Sequence, residues 1–117
     1  MLIYCAHRYE GDRRNVEQVG EVLRALQVAD PENCYVSPLH CFSYLKYDDL
    51  AYDDMMEVCL DVLSVCDMVL VLSEPSMGVQ REIEMAERLG LEVQHYTDTW
   101  KGPDLYKCEG SYGKEHR

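Results

Sequence analysis

Met68-Val69-Leu70-Val71-Leu72-Ser73-Glu74-Pro75-Ser76-Met77-Gly78-Val79-Gln80-Arg81-Glu82 is the stretch that decides the fold. Its first five residues are the most apolar run in the chain, short and without polar alternation, as expected of a strand covered on both faces. Ser73, Pro75, Ser76 and Gly78 then supply turn chemistry, and apolar residues return at helical spacing at Val79, Ile83, Met85, Ala86 and Leu89. Strand, turn and amphipathic helix in that order make half of a parallel crossover unit.

Outward from this stretch the same pattern recurs. Leu2, Ile3, Tyr4, Cys5 and Ala6 form a short apolar run that reads as a first strand. Val16, Val19, Leu23 and Leu26 then mark an amphipathic helix from Asn15 onward. Asp30-Pro31-Glu32-Asn33 breaks it, and Cys34-Tyr35-Val36-Ser37 reads as a second strand ending at Pro38. Residues 40–54 are aromatic and acidic and read as a loop or lid, leading into a helix over residues 55–66 that shows Met56, Leu60 and Leu63 on one face. Gly90 is placed to stop the helix after the turn, and residues 91–96 supply a further strand.

Strands alternating with helices of this length predict a three-layer, Rossmann-like (flavodoxin-like) parallel sheet of four to five strands with helices on both faces. One domain over residues 1–96 is expected, with a polar tail at 97–117 whose Trp100, Tyr106 and Tyr112 suit docking on the body or on a second subunit. Apolar residues make up 47% of the 117, enough for a core without metal or disulfide staples. In such sheets ligands bind beyond the carboxyl ends of the strands, so the loops after Cys5, Ser37 and Leu72 are the ones to search.

Composition excludes several function classes. Acidic residues outnumber basic ones by 22 to 11, and no Lys/Arg block offsets them, so no nucleic-acid polymer is expected as partner. The six cysteines show no Cys-x-x-Cys pair and no Cys/His spacing of a zinc site; most are expected to be buried, reduced and apolar in behaviour. The Asp48, Asp49, Asp53 and Asp54 run reads as a solvated helix start rather than a metal site, so neither metal nor cofactor is expected. The start Met1-Leu2-Ile3-Tyr4-Cys5 lacks the pattern of a signal peptide and no run is long enough to span a bilayer, which places the protein in the cytoplasm and off the membrane. Walker-type and Gly-x-Gly-x-x-Gly loops are absent from the sequence.

The candidate site lies in the turn. Ser76 sits where an N-cap belongs, Gly78 permits close approach of a ligand, and free N–H groups at a helix start can hold an anion or a hydroxyl-rich group; ordinary capping is the plain alternative. Glu82 falls inside the apolar stripe, three residues after Val79 and four before Ala86, where a carboxylate loses solvation unless it faces a cleft. Partial burial raises its pKa and leaves a group able to act as nucleophile or proton carrier; a tie to a backbone N–H, Arg81 or Arg8 is the alternative. His40 follows the second strand and can contact a ligand or be structural. Tyr44, Tyr47 and Tyr52 can stack on a purine, but covering the core is the expected role.

Ser76-Met77-Gly78-Val79-Gln80-Arg81-Glu82 resembles the Ser-x-Gly-x-x-x-Glu signature of the nucleoside 2-deoxyribosyltransferases and the related deoxynucleoside monophosphate N-glycosidase. It is closer still to uncharacterised phage and bacterial domains of that superfamily. Ala6-His7-Arg8-Tyr9-Glu10-Gly11 with Asn15, and Cys66-Asp67 before the central strand, partly match other family elements over residues 1–96. The resemblance implies that Glu82 attacks the anomeric carbon of a deoxyribose and that Ser76 and Gly78 lie beside the sugar or its phosphate, with Tyr9, Arg8 and His7 lining the pocket. It also implies a homodimer or larger oligomer.

Two positions depart from the pattern. Cys59 stands where the family places an Asp that protonates the leaving base, and Glu10 stands where it has Arg, which favours a nucleoside or a base-modified metabolite over a phosphorylated ligand. A nucleoside deoxyribosyltransferase-like protein that binds a nucleoside or nucleotide-derived ligand is therefore the leading expectation. A non-catalytic nucleotide-metabolite binding module, a sensor or sequestering protein of phage type, is the alternative.

Overall fold

The structure, a computed structural model, describes residues 1–97, 100 and 102. Among these residues eight elements follow in order: β1 (Leu2–Ala6), α1 (Arg13–Ala29), β2 (Cys34–Val36), α2 (Pro38–Cys41), α3 (Tyr52–Leu63), β3 (Met68–Val71), α4 (Met77–Arg88) and β4 (Glu92–His95). All strand pairs are parallel, in the order β2-β1-β3-β4. The fold is thus a Rossmann-like three-layer α/β fold with a four-strand parallel sheet, the flavodoxin-type order in its first four strands.

The order explains which helix covers which face. The chain leaves β1 toward β2 on one side and leaves β3 toward β4 on the other, and right-handed crossovers in opposite directions put α1 and α4 on opposite faces. The α3 crossover from β2 to β3 shares the face of α4. Side-chain alternation along the strands then splits the core in two. Tyr4, Ala6, Val69 and Val71 pack with Leu63, Cys66, Val79 and Ala86 under α3 and α4. Ile3, Cys5, Met68 and Leu70 pack with Leu26 of α1, joined by Tyr35, Tyr96 and Trp100. The reversal of strand order falls between β1 and β3, and their carboxyl ends are tied where Leu72 N donates to Ala6 O at 2.8 Å.

Local signals account for most boundaries. Ser76 caps α4, its hydroxyl accepting from Val79 N at 3.2 Å, and Gly90 takes φ 77° just beyond the helix, a conformation that favours glycine. Three expectations need correction. The helix after β1 begins at Arg13 with Asp12 as N-cap, because Asp12 accepts from Arg14 N, whereas Asn15 turns its amide to Tyr9 O at 2.9 Å. The 40–54 segment is not wholly loop: Pro38 starts the one-turn α2, proline being well suited to a first helical position, and α3 begins three residues before Met55 with Asp53 and Asp54 in its first turn. Tyr44, Tyr47 and Tyr52 do not cover the core; they are 76%, 66% and 50% exposed, since their segment lies beyond the strand ends where no sheet face is available. The cysteine reading holds for the described residues: all five are free and most are buried, Cys5, Cys59 and Cys66 inside and Cys34 and Cys41 exposed, while Cys108 lies outside the described residues.

Trp100 packs edge-on against Tyr35, ring centroids 6.1 Å apart, and donates from Nε1 to Gln94 Oε1 at 2.7 Å. Tyr106 and Tyr112 lie outside the described residues. No helix among the described residues is long and apolar enough to cross a membrane.

Candidate functional site

Glu82 sits on the inner face of α4, between Val79 and Ala86, and is only 6% exposed. Its Oε2 accepts a hydrogen bond from the Tyr4 hydroxyl, which reaches across from β1. Burial pushes the Glu82 carboxyl up to about 7 from its ordinary 4.5, and the Tyr4 hydrogen bond opposes that rise by stabilising the charged form. The tyrosine responds in the opposite sense: burial, then the neighbouring Glu82 charge, hold its hydroxyl protonated far above the usual range. Neither Arg81 nor Arg8 is the partner considered from the sequence; Arg81 pairs with Asp53 at 3.1 Å and lies over the Tyr52 ring.

Cys59, on the α3 face that packs against α4, joins this pair. Burial, followed by the Glu82 charge, pushes its thiol up to about 12, so it stays protonated and donates protons poorly. Tyr4, Cys59 and Glu82 therefore form a buried cluster beneath the carboxyl ends of β1 and β3, in which Glu82 is the group that changes charge near neutral pH.

The remaining sequence candidates ring the loops above. Gly78 faces α3: a Cβ placed there meets the Tyr52 hydroxyl at 3.5 Å, Met56 Sδ at 3.6 Å and Ser76 Oγ at 3.9 Å, ordinary contacts that mark a closely packed helix start. Arg8 is exposed and its backbone N donates to Ser73 Oγ at 3.0 Å, which fastens the loop after β1 to the loop after β3. His7 is buried beside it, with Nδ1 2.7 Å from Arg8 O. Tyr9 meets Tyr47 edge-to-face at 5.5 Å, and the Tyr47 ring also lies over Gly11, whose φ of 75° suits only a residue without Cβ. His40 is placed differently: its Nδ1 is 3.1 Å from Ser37 Oγ and its Nε2 lies 3.2 Å from where a Cβ on Gly20 would stand, so the ring packs on α1, on the face opposite Glu82.

Tyr4 was missed from the sequence as a site residue. A signal was present: a tyrosine in a strand buried on both faces must find a partner for its hydroxyl. The partner, 78 residues along the chain, could not be named without the fold. Among the described residues, no group of His, Cys, Asp and Glu is arranged to hold a metal ion.

Residues 15–95 match the model of a family described as a domain of unknown function, DUF4406. Among solved structures, the chain is similar to the crystal structure of a conserved protein from Enterococcus faecalis V583, with a TM-score of 0.67 and 17% sequence identity over 89% of this chain and 68% of that one. At that identity the likeness shows the fold alone. No curated protein matches the chain.

Proposed function

We propose, from the premise that this chain belongs to the DUF4406 family, whose description names no activity, that it is a nucleoside deoxyribosyltransferase-like protein. It binds a nucleoside or nucleotide-derived ligand at the β1–β3 switch and cleaves or transfers the N-glycosidic bond. The observation that carries this reading is Glu82 itself: a carboxylate buried in an apolar stripe, raised to about 7, and held, among the described residues, by one tyrosine and by no cation. An ion pair would have made it structural; a single neutral donor leaves its charge available.

The chemistry follows in two balanced steps. An ionised Glu82 oxygen attacks the anomeric carbon; the bond from that carbon to the base nitrogen breaks, its electron pair leaves with the base, and water supplies the proton the base takes up. A second base, or water, then attacks the same carbon, the ester to Glu82 breaks and the carboxylate is regenerated, while the attacking N–H or O–H gives its proton to the hydroxide left by the first step. Tyr4 orients the carboxylate throughout, while Ser76, Gly78, Arg8 and Tyr9 border the loops through which a sugar would approach.

One observation favours a second reading, a non-catalytic nucleotide-metabolite binding module. Cys59, pushed up to about 12, is a weak acid where a leaving base needs a proton donor. Incubation with 2′-deoxynucleosides and a free acceptor base, followed by chromatography, separates the two. Under the first reading, base release or exchange rises with pH to a plateau above about 7 as Glu82 ionises, and Glu82→Ala lowers it by more than about a thousandfold. Thermal stabilisation by deoxynucleosides without turnover assigns the binding module instead. The absence of both turnover and stabilisation would exclude both readings.

A further inference from the structure

His7 carries a hydrogen-bonding atom that the fold leaves unused. It is the first residue after β1, and two ties fix it at the switch point: Leu72 N to Ala6 O at 2.8 Å just before it, and Arg8 N to Ser73 Oγ at 3.0 Å just after it. The residue is 7% exposed. Its Nδ1 lies 2.7 Å from the Arg8 carbonyl oxygen, which can only accept, so Nδ1 carries the ring proton. Burial, against the opposing pull of that carbonyl, holds the imidazole pKa below its ordinary value, which favours the neutral ring. Nε2 is then a bare lone pair, buried and without a hydrogen-bond partner among the described residues.

Buried acceptors without a donor are rare because they forfeit the hydrogen bond that water gave them. This one stands where an open α/β sheet takes its ligand. We infer that His7 Nε2 accepts a hydrogen bond from a hydroxyl or amino group of the bound ligand, which makes His7 a specificity-determining residue. The inference deepens the nucleoside reading above and rests on it. A sugar hydroxyl or the exocyclic amine of a base satisfies the lone pair; an ionised phosphate oxygen, another acceptor, does not. His7 thereby selects the neutral portion of a nucleoside at this position.

The test uses the tightest-binding of the four common 2′-deoxynucleosides and three analogues of it, lacking the 3′-hydroxyl, the 5′-hydroxyl and one N–H donor of the base. One analogue is expected to bind the wild-type chain at least about tenfold more weakly than its parent, since the lone pair is left unmatched. His7→Leu should bind that analogue and the parent alike, and His7→Gln, which restores an acceptor, should recover part of the difference. On the wild-type protein, the ¹⁵N resonance of Nε2 should move when the parent is added and stay in place with the discriminating analogue, a readout that holds even if His7→Leu does not fold. Equal binding of all four ligands, or discrimination that survives His7→Leu, overturns the inference and leaves the nucleoside reading standing. Failure of every deoxynucleoside to bind overturns both.

Discussion

Each face of the sheet carries a tyrosine whose hydroxyl donates to a carboxylate, and the two pairs differ in nearly everything except that bond. Under α3 and α4, Tyr4 of β1 holds Glu82, both buried. On the α1 side, Tyr35 of β2 holds Asp30 at 2.6 Å, at the half-open end of α1, where Asn33 Nδ2 donates to the same oxygen at 2.8 Å. The Asp30 pair closes a turn: Asp30 is the C-cap of α1, and its neighbours Gln27 and Asn33 complete the link into β2. Glu82 closes nothing local. It spans 78 residues to meet one donor among the described residues and ends with a carboxyl raised to about 7. The same bond therefore stabilises a turn where water and a second donor share the charge, and poises a reactive group where they do not.

The largest expected effect of breaking this parallel is on stability against pH. Glu82 titrates at about 7 in the fold and at 4.5 when free, so the folded state holds the proton more tightly. The stabilisation this gives is complete below about pH 4.5 and is lost as pH rises through 7. At roughly 1.4 kcal/mol per pH unit, the gap corresponds to about 3 kcal/mol. Glu82→Gln keeps an oxygen for Tyr4 and removes the charge, so at pH 8 it should be more stable than the parent by an amount of that order, with little difference at pH 4.5. Asp30→Asn should show no comparable gain at either pH. Urea titrations at both pH values measure this; a Gln variant no more stable at pH 8 would mean that Glu82 is solvated.

Removing the donors instead sharpens the contrast. Tyr4→Phe leaves an enclosed carboxylate with its only described hydrogen bond gone, which should raise the Glu82 pKa further and cost about 1–3 kcal/mol at pH 8. The loss should shrink at pH 5, where Glu82 is protonated. Tyr35→Phe should cost about 0.5–1.5 kcal/mol, nearly independent of pH between 5 and 8, because Asn33 still serves Asp30 Oδ2. Equal losses with equal pH dependence would erase the distinction between the two sites.

What could be read from the residues divides along the same line. β1 and β3 were legible because strands buried on both faces are written as unbroken apolar runs, and α4 because Ser76 and Gly90 bracket a clean stripe. The anomaly of Glu82 was legible for the same reason, as a charge in the wrong part of a regular pattern. Its partner was not, since a pairing between β1 and α4 depends on the strand order, and no local signal reports it. His7 stands between the two: the resemblance puts it at the pocket, but only the fold shows one nitrogen tied to Arg8 O and the other buried without a partner among the described residues. The α2 turn is hidden because a proline can close a strand or open a helix, and no local signal at Pro38 decides between the two.

The smallest expected effects come from two glycines, one on each side of the sheet. Gly20 in α1 and Gly78 in the first turn of α4 each forgo the helix stability of alanine, up to about 1 kcal/mol. At Gly20, a methyl group would press on His40 Nε2 at 3.2 Å, and the exposed imidazole can move aside, so Gly20→Ala should change stability by less than about 0.5 kcal/mol. At Gly78 the nearest atoms stand at 3.5 Å or more, and the alanine should be tolerated or slightly stabilising. Stability alone thus predicts two quiet substitutions. Ligand binding separates them: if a sugar approaches the start of α4 as proposed, the added methyl of Gly78→Ala occupies its path and should weaken deoxynucleoside binding by about tenfold while Gly20→Ala leaves it unchanged. Calorimetric titration of both variants reads the difference directly. A Gly78→Ala chain that is stable and binds as the parent does would place the ligand away from α4, and Glu82 would then be a buried acid with no substrate above it.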